Sequence, residues 1–284
     1  MKPSYFKYLL ALLLFGSNGV VASYIGLTSY EIVLLRSVLG GLLLTAVFFF
    51  SGHRPTVMRH RRDALFIILS GVAMAADWLL LFEAYAQIGV SLGMLINYCG
   101  PAIVIALSPL VFGERLTAPG LLALLAALVG VFLISGQAAL GGVSARGLAY
   151  AGLSAVCYAA MVMLNKMAKR VTGLENAALQ LISALVVAAV FVGCKQGFHM
   201  RISAGDWLPI LWIGLLNTGA GCYLYFSSIG KLPAQTVAIW GYLEPLSAVA
   251  FSAAILHERM LPLQILGAAL IIGGAVFGER FRRQ

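Results

Sequence analysis

Stretches of about 20 predominantly apolar residues recur ten times along this 284-residue chain, near residues 5–23, 29–50, 63–83, 88–112, 117–136, 145–165, 174–194, 207–229, 234–256 and 262–279. A helix of that length, rising 1.5 Å per residue, crosses a hydrocarbon core about 30 Å thick. Water offers these stretches no alternative: 61% of the residues are hydrophobic and only 10% charged, too few polar groups to coat a soluble surface. The period-2 alternation of a membrane barrel is absent, and the short connections leave no room for a soluble domain. The expected fold is an all-α polytopic membrane protein with ten transmembrane helices.

The net charge of +9 would suit a nucleic-acid binder, but in such a chain it reads first as topology. With the N-terminus in the cytoplasm, fourteen of the nineteen Lys and Arg residues fall on inside segments, among them Arg54, Arg59, Arg61, Arg62, Lys169 and Arg170. Four fall outside, at Arg146, Lys195, Arg201 and Arg259, and Arg36 lies within the second helix. Both termini are therefore expected to be cytoplasmic. The basic loops need only the anionic inner leaflet as partner, and no nucleic acid.

The N-terminal "MKPSYFKYLLALLLFGSNGVVAS" has the outline of a cleaved signal, yet its removal would leave nine helices and spoil the repeat below; we read it as a retained first helix. Cys99, Cys157, Cys194 and Cys222 all lie in apolar spans without metal-type spacing, which suits packing. His53, His60, His199 and His257 lie on separate loops, and there is no Gly-rich phosphate loop. No cofactor, metal or direct use of ATP is implied.

"INYCGPAIVIALSPLVFGERL" at 96–116 is answered by "GYLEPLSAVAFSAAILHERM" at 241–260. At a gapless offset of 144, Tyr98 meets Tyr242, Pro101 meets Pro245, Glu114-Arg115 meets Glu258-Arg259 and Gly130 meets Gly274. Thr28-x-x-Glu31 likewise meets Thr172-x-x-Glu175; both read as capping boxes that start helices. Two five-helix units follow, expected at 1–140 and 141–284. Because five is odd, the second unit is inverted relative to the first. Inverted repeats around a midplane cavity can exchange inward-open and outward-open shapes of similar energy.

"FGSNGVVAS" in the first helix, Arg36, Pro101 followed by "GERL", and "LEPLSAVAFSAAILHER" in the ninth helix together resemble the drug/metabolite transporter superfamily, in particular its EamA-type members. The resemblance covers essentially the whole chain. It implies a central cavity lined mainly by helices 1, 3, 4, 6, 8 and 9, and a cargo drawn from amino acids, metabolites, nucleotide-sugar-like compounds or drugs. The halves differ where Glu244 faces Gly100 and where His257 faces Gly113.

Ionisable groups at membrane depth are costly and mark functional candidates. Glu244 lies about 15 Å from the inner end of the ninth helix, just before Pro245, on one face with Trp240 and Ser247. It would bind substrate or a coupling proton, or simply bond the carbonyl that Pro245 frees. Asp77, beside Trp78 in the third helix, has Gly221 as counterpart, so it could be specific to this cargo; a packing Asp held by a hydroxyl is its plainer role. Tyr158, Met161 and Asn165 form a stripe on the sixth helix. Asn18, Asn97, Tyr98 and Asn217 add groups suited to a small amphipathic molecule, or to bonds between helices. Arg36, opposite Gln180 in the repeat, reads as a structural or snorkelling arginine, with a substrate carboxylate as the alternative. Glu114-Arg115 and Glu258-Arg259 read as helix-end and headgroup residues. The small residues of the fifth and tenth helices, including Gly274 and Gly278, would join the halves or form a dimer face, with a monomer preferred over a weak homodimer.

The expectation is a plasma (inner) membrane transporter, exporting a small amphipathic metabolite such as an amino acid or amine, possible proton carriers being Glu244 and Asp77. A multidrug or toxic-cation exporter of the same fold is the nearest alternative. A membrane enzyme acting on a lipid phosphate is the different class, and the clustered carboxylates or basic groups it needs are missing from the sequence.

Overall fold

The computed structural model describes residues 3–52, 54–135, 144–255, 257 and 262–282. The expectations for His53, Gly278 and the Glu258-Arg259 pair fall wholly or in part outside the described backbone and side chains. Ten helical spans are described, close to the predicted ones. α1 comprises Pro3–Gly16 and Asn18–Ala22, α2 is Ser29–Phe50, α3 is Arg61–Ile88, α4 comprises Val90–Asn97 and Gly100–Phe112, and α5 is Ala118–Ser135. α6 is Ala145–Met167 and α7 is Gly173–Lys195. α8 runs from Trp207 to Ile229, α9 comprises Ala234–Gly241 and Leu243–Ile255, and α10 is Pro262–Arg282.

The two repeat prolines break their helices one turn ahead of themselves. A proline has no N–H for the carbonyl four residues earlier, and its ring crowds that carbonyl. For Pro101 this residue is Asn97, where the first segment of α4 ends; for Pro245 it is Gly241, where the first segment of α9 ends. The counterpart positions beyond them share a positive φ as well, 66° at Gly113 and 55° at His257. Thus the repeat is kept in backbone geometry even where the residue type changes.

Loop contacts define the two ends of the bundle. At one, which we call the basic end, Asp63 accepts from the N–H groups of Lys169 and Arg170, and Glu114 accepts from those of Ala234 and Gln235. At the opposite end Gly26 donates to Asp206, Ser144 to Gln87, and Lys195 pairs with Glu83. Thr28 lies at this second end, bonded by Gln196, whereas Glu175, beside Thr28's counterpart, binds Thr56 and Val57 at the basic end. The second five helices are therefore upside down relative to the first.

Packing follows the same two-fold relation. α3 lies on α6 as α8 lies on α1, and α3 meets α7 as α2 meets α8. The pairs α2–α7, α4–α9 and α5–α10 join counterparts directly. Lipid tails are as apolar as Leu, so close backbone approach rather than water exclusion holds such helices together. At the α5–α10 contact a Cβ on Gly130 would sit 2.6 Å from the Gly267 carbonyl, and one on its counterpart Gly274 2.9 Å from Ala126. These helices join the halves, as their small residues led us to expect.

Two predicted roles change. Thr28 and Glu31 form the expected capping box, but Thr172 makes no side-chain cap. Its Glu175 is drawn off instead to the N–H groups of Thr56 and Val57 and the Thr56 hydroxyl, which fasten the α2–α3 connection. Glu114 does sit at a helix N-terminus, though that of α9 rather than of the following α5, since the inverted packing brings α9's start beside it. Glu83, at the end opposite the basic one, accepts from the Tyr30 hydroxyl and pairs with Lys195.

Candidate functional site

A cavity of about 310 Å³ lies between α1, α2, α3, α4, α6, α8 and α9. The inclusion of α2, through Ser29, Ile32, Val33 and Arg36, departs from the six helices that the family resemblance implied. Its wall reaches Ala22, Ser29, Phe82 and Tyr85, close to the end carrying Asp206 and Lys195, so the cavity faces that end. Toward the basic end it is closed by aromatic packing. The fully buried Tyr8 donates from its hydroxyl to the Val237 carbonyl at 2.6 Å, and its ring packs 5.4 Å from Tyr225, which in turn touches Phe15.

Three ionisable side chains line this space, Arg36, Asp77 and Glu244. Arg36 on α2 is 8% exposed; its Nε donates to Thr218 Oγ1 at 2.8 Å, and its guanidinium lies 4.5 Å from the Trp78 ring centroid. Thr218 is placed for this by a local widening of α8: over Trp212–Ala220 the helix takes i→i+5 bonding, and the Thr218 hydroxyl donates to the Ile213 carbonyl at 2.7 Å. Such widened turns recur at functional sites, and the corresponding part of α3 is an ordinary α-helix. Arg36 therefore does not snorkel toward the interface. Inward partners on α3 and α8 keep its charge in the cavity.

Asp77 on α3 accepts from Asn97 Nδ2 at 2.7 Å, and the same amide donates to Ser154 Oγ at 3.0 Å. The segment break in α4 that ends at Asn97 thus places an amide against the carboxylate. Glu244 enters the wall from α9, within electrostatic reach of Arg36. The aromatic sides are Trp78, Tyr98 and Tyr158, with Phe82 and Tyr85 nearer the mouth. The chemistry on offer is two carboxylates, one guanidinium and several rings in one enclosed space. That combination suits a small molecule with both charges and an apolar part.

Of the ten side chains singled out for substrate, seven line this cavity: Asn18, Asp77, Trp78, Asn97, Tyr98, Tyr158 and Glu244. Asn217 stands one layer behind, donating to Asn18 Oδ1 at 3.0 Å and Ser17 Oγ at 2.9 Å, and so orients Asn18. Asn165 is sealed in a buried amide cluster with Asn176 and Gln180, below the cavity. Trp240 lies one turn nearer the basic end than Glu244, edge-on to Tyr5 at 6.1 Å. Sequence reasoning missed Tyr85, Tyr225 and Met74. For Tyr85 the signal was there: it stands two turns beyond Asp77 on one face of α3.

Comparison with known proteins agrees with this architecture. The model of the EamA-like transporter family matches residues 2–136 and again 145–278. The uncharacterized transporter YxxF of Bacillus subtilis (strain 168) is 24% identical, over 94% of this chain and 86% of its own length. The uncharacterized inner membrane transporter YicL of Salmonella typhimurium is 24% identical over 94% and 92%. A probable amino-acid metabolite efflux pump of Escherichia coli (strain K12) is 27% identical over 63% of this chain and 64% of its own. A solved crystal structure superposes over 98% of both chains with a TM-score of 0.84 at 17% identity, which shows a shared fold. The protein is thus a multi-pass membrane transporter with two inverted five-helix repeats. The chain belongs to the EamA-like transporter family.

Proposed function

We infer that this transporter exports a small zwitterionic or amine metabolite carrying an apolar group, by alternating access, from a cytoplasm that holds both termini. The observation that carries this reading is the meeting of Arg36, Asp77 and Glu244 in one cavity of about 310 Å³ lined with aromatic rings. The guanidinium receives a carboxylate, Asp77 and Glu244 receive an ammonium, and Trp78, Tyr98 and Tyr158 receive the side chain. An exporter of cationic drugs has no use for a buried Arg36 among its ligands, so the arginine favours a cargo with an acid group. The E. coli relative named for amino-acid metabolite efflux supports the same choice. Glu244 and Asp77 are also the groups placed to exchange a proton for the substrate ammonium.

The test is flux in proteoliposomes. Radiolabelled apolar amino acids should move down their gradients, and an imposed pH gradient should drive them uphill. The matching decarboxylated amines should be poorer substrates. Transport of the amines and exclusion of the amino acids would reverse the assignment of Arg36.

A further inference from the structure

A second concavity, of about 640 Å³, lies outside the bundle core at the basic end, between the last turns of α2, the start of α7 and the middle of α8. Toward the membrane interior its walls are apolar, formed by Leu43, Val47, Phe48, Leu174 and Tyr223. Its rim is polar, with Ser51, Arg54, Thr56 and Thr172. The groove has a structural cause. α2 and α8 touch at Gly40, where a Cβ would lie 3.0 Å from Thr218 and 3.2 Å from the Gly214 carbonyl. Beyond that contact the helices part over the eleven residues to Ser51, about 16 Å at 1.5 Å per residue. The lipid-facing edge is marked by the exposed Val47 and Phe50.

Basic groups outnumber acidic ones at this mouth. Arg54 stands on the rim, and the Lys7 ammonium sits 5.2 Å from the ring centroid of Tyr223, which forms part of the wall. Neither pairs with a carboxylate among the described residues. The acid that reaches the rim, Glu175, is already engaged: Oε1 accepts from the N–H groups of Thr56 at 2.5 Å and Val57 at 2.9 Å, and Oε2 from the Thr56 hydroxyl at 2.6 Å. Cationic groups over a long apolar slot that opens toward lipid match one ligand chemistry, an anionic headgroup on an acyl chain.

We propose that the α2–α7–α8 groove is a binding site for an anionic glycerophospholipid, its acyl chain lying along Val47 and Phe48 and its phosphate between Lys7 and Arg54. The occupant ties the basic end of α2 to α8, and α2 carries Arg36 into the transport cavity three to four turns away. The site stands independently of the transported substrate.

Delipidated protein in detergent, titrated with phosphatidylglycerol or phosphatidylcholine of the same chains and read by native mass spectrometry, tests this. Phosphatidylglycerol should bind first and more tightly. The Lys7→Ala/Arg54→Ala double variant should raise its apparent Kd about 25-fold, about fivefold for each basic side chain. Val47→Trp, which fills the slot and leaves both charges, should also remove the tight site, while Arg146→Ala/Arg201→Ala at the opposite end should leave it unchanged. Helix content by circular dichroism confirms folding of each variant. Equal affinity for the two lipids, an unchanged Kd in the double variant, or equal thermal stabilisation by inorganic phosphate alone would overturn the proposal.

Discussion

The hydroxyl of Tyr242 donates to the backbone carbonyl of Tyr98 at 3.0 Å, a bond between two residues that are each other's counterparts at an offset of 144. Both sit where a repeat proline has broken the helix, so the freed backbone of α4 is satisfied from α9 across the pseudo-two-fold axis. Tyr242→Phe should lower stability in detergent by about 0.6 kcal/mol, the average for interhelical bonds in membranes. Thermal unfolding reads that loss. Transport should persist, because the ring and its packing remain.

The role proposed for Arg36 in substrate choice is open to direct test. Arg36→Lys keeps the charge but loses the planar stack on Trp78 and the directed bond to Thr218. Affinity for an amino acid should fall about tenfold. Arg36→Gln, which installs the residue found at its counterpart Gln180, should equalise competition by an amino acid and its decarboxylated amine. Continued preference for the acid in Arg36→Gln would show that the carboxylate is bound elsewhere.

The halves differ at Glu244 and Gly100 for a steric reason. A Cβ on Gly100 would lie 2.7 Å from the Tyr158 ring and 3.0 Å from the Ala155 carbonyl, so α4 rests on α6 with no room for a side chain. Gly100→Ala should therefore destabilise by about 1–3 kcal/mol, visible as lower yield of folded protein. At Gly152 of α6 nothing lies within 4 Å of a Cβ, and Gly152→Ala should be neutral or stabilising.

Proton coupling can be separated from substrate binding. Glu244→Gln and Asp77→Asn keep shape and hydrogen-bonding capacity but cannot release a proton. Flux driven by a pH gradient should be lost in whichever of them carries the proton, while exchange of labelled for unlabelled substrate continues. If both variants respond to pH as the parent does, neither carboxylate carries the proton.

The ten spans were legible because a 20-residue apolar run can do little else in lipid, and the repeat was legible because mate prolines and glycines occupy mate backbone conformations. What was not legible depended on the third dimension. The Tyr158, Met161, Asn165 stripe correctly marks one helix face, but it runs along the axis, and seven residues at 1.5 Å carry Asn165 about 10 Å from Tyr158, past the floor of the cavity. For the same reason Trp240 lies one turn below Glu244, beside Tyr5 rather than in the cavity wall. Arg36 was visible as a charge at membrane depth. Its direction depended on the widened turn of α8 that presents Thr218, and no local residue pattern announces that turn. Thr172-x-x-Glu175 shows that a motif can be copied while its partner is not: the Glu found better donors on a neighbouring loop.

Orientation and inversion together support every assignment of side, gate and direction, and cysteine labelling in intact cells tests them most directly. In a background with Cys99, Cys157, Cys194 and Cys222 replaced by Ala, Gly113→Cys and His257→Cys mark the counterpart ends of α4 and α9. A membrane-impermeant maleimide applied from outside should modify the cysteine at 257 and reach the one at 113 only after the membrane is opened. Labelling of both from the same face would contradict the inverted pair of bundles and, with it, the transport cycle proposed here.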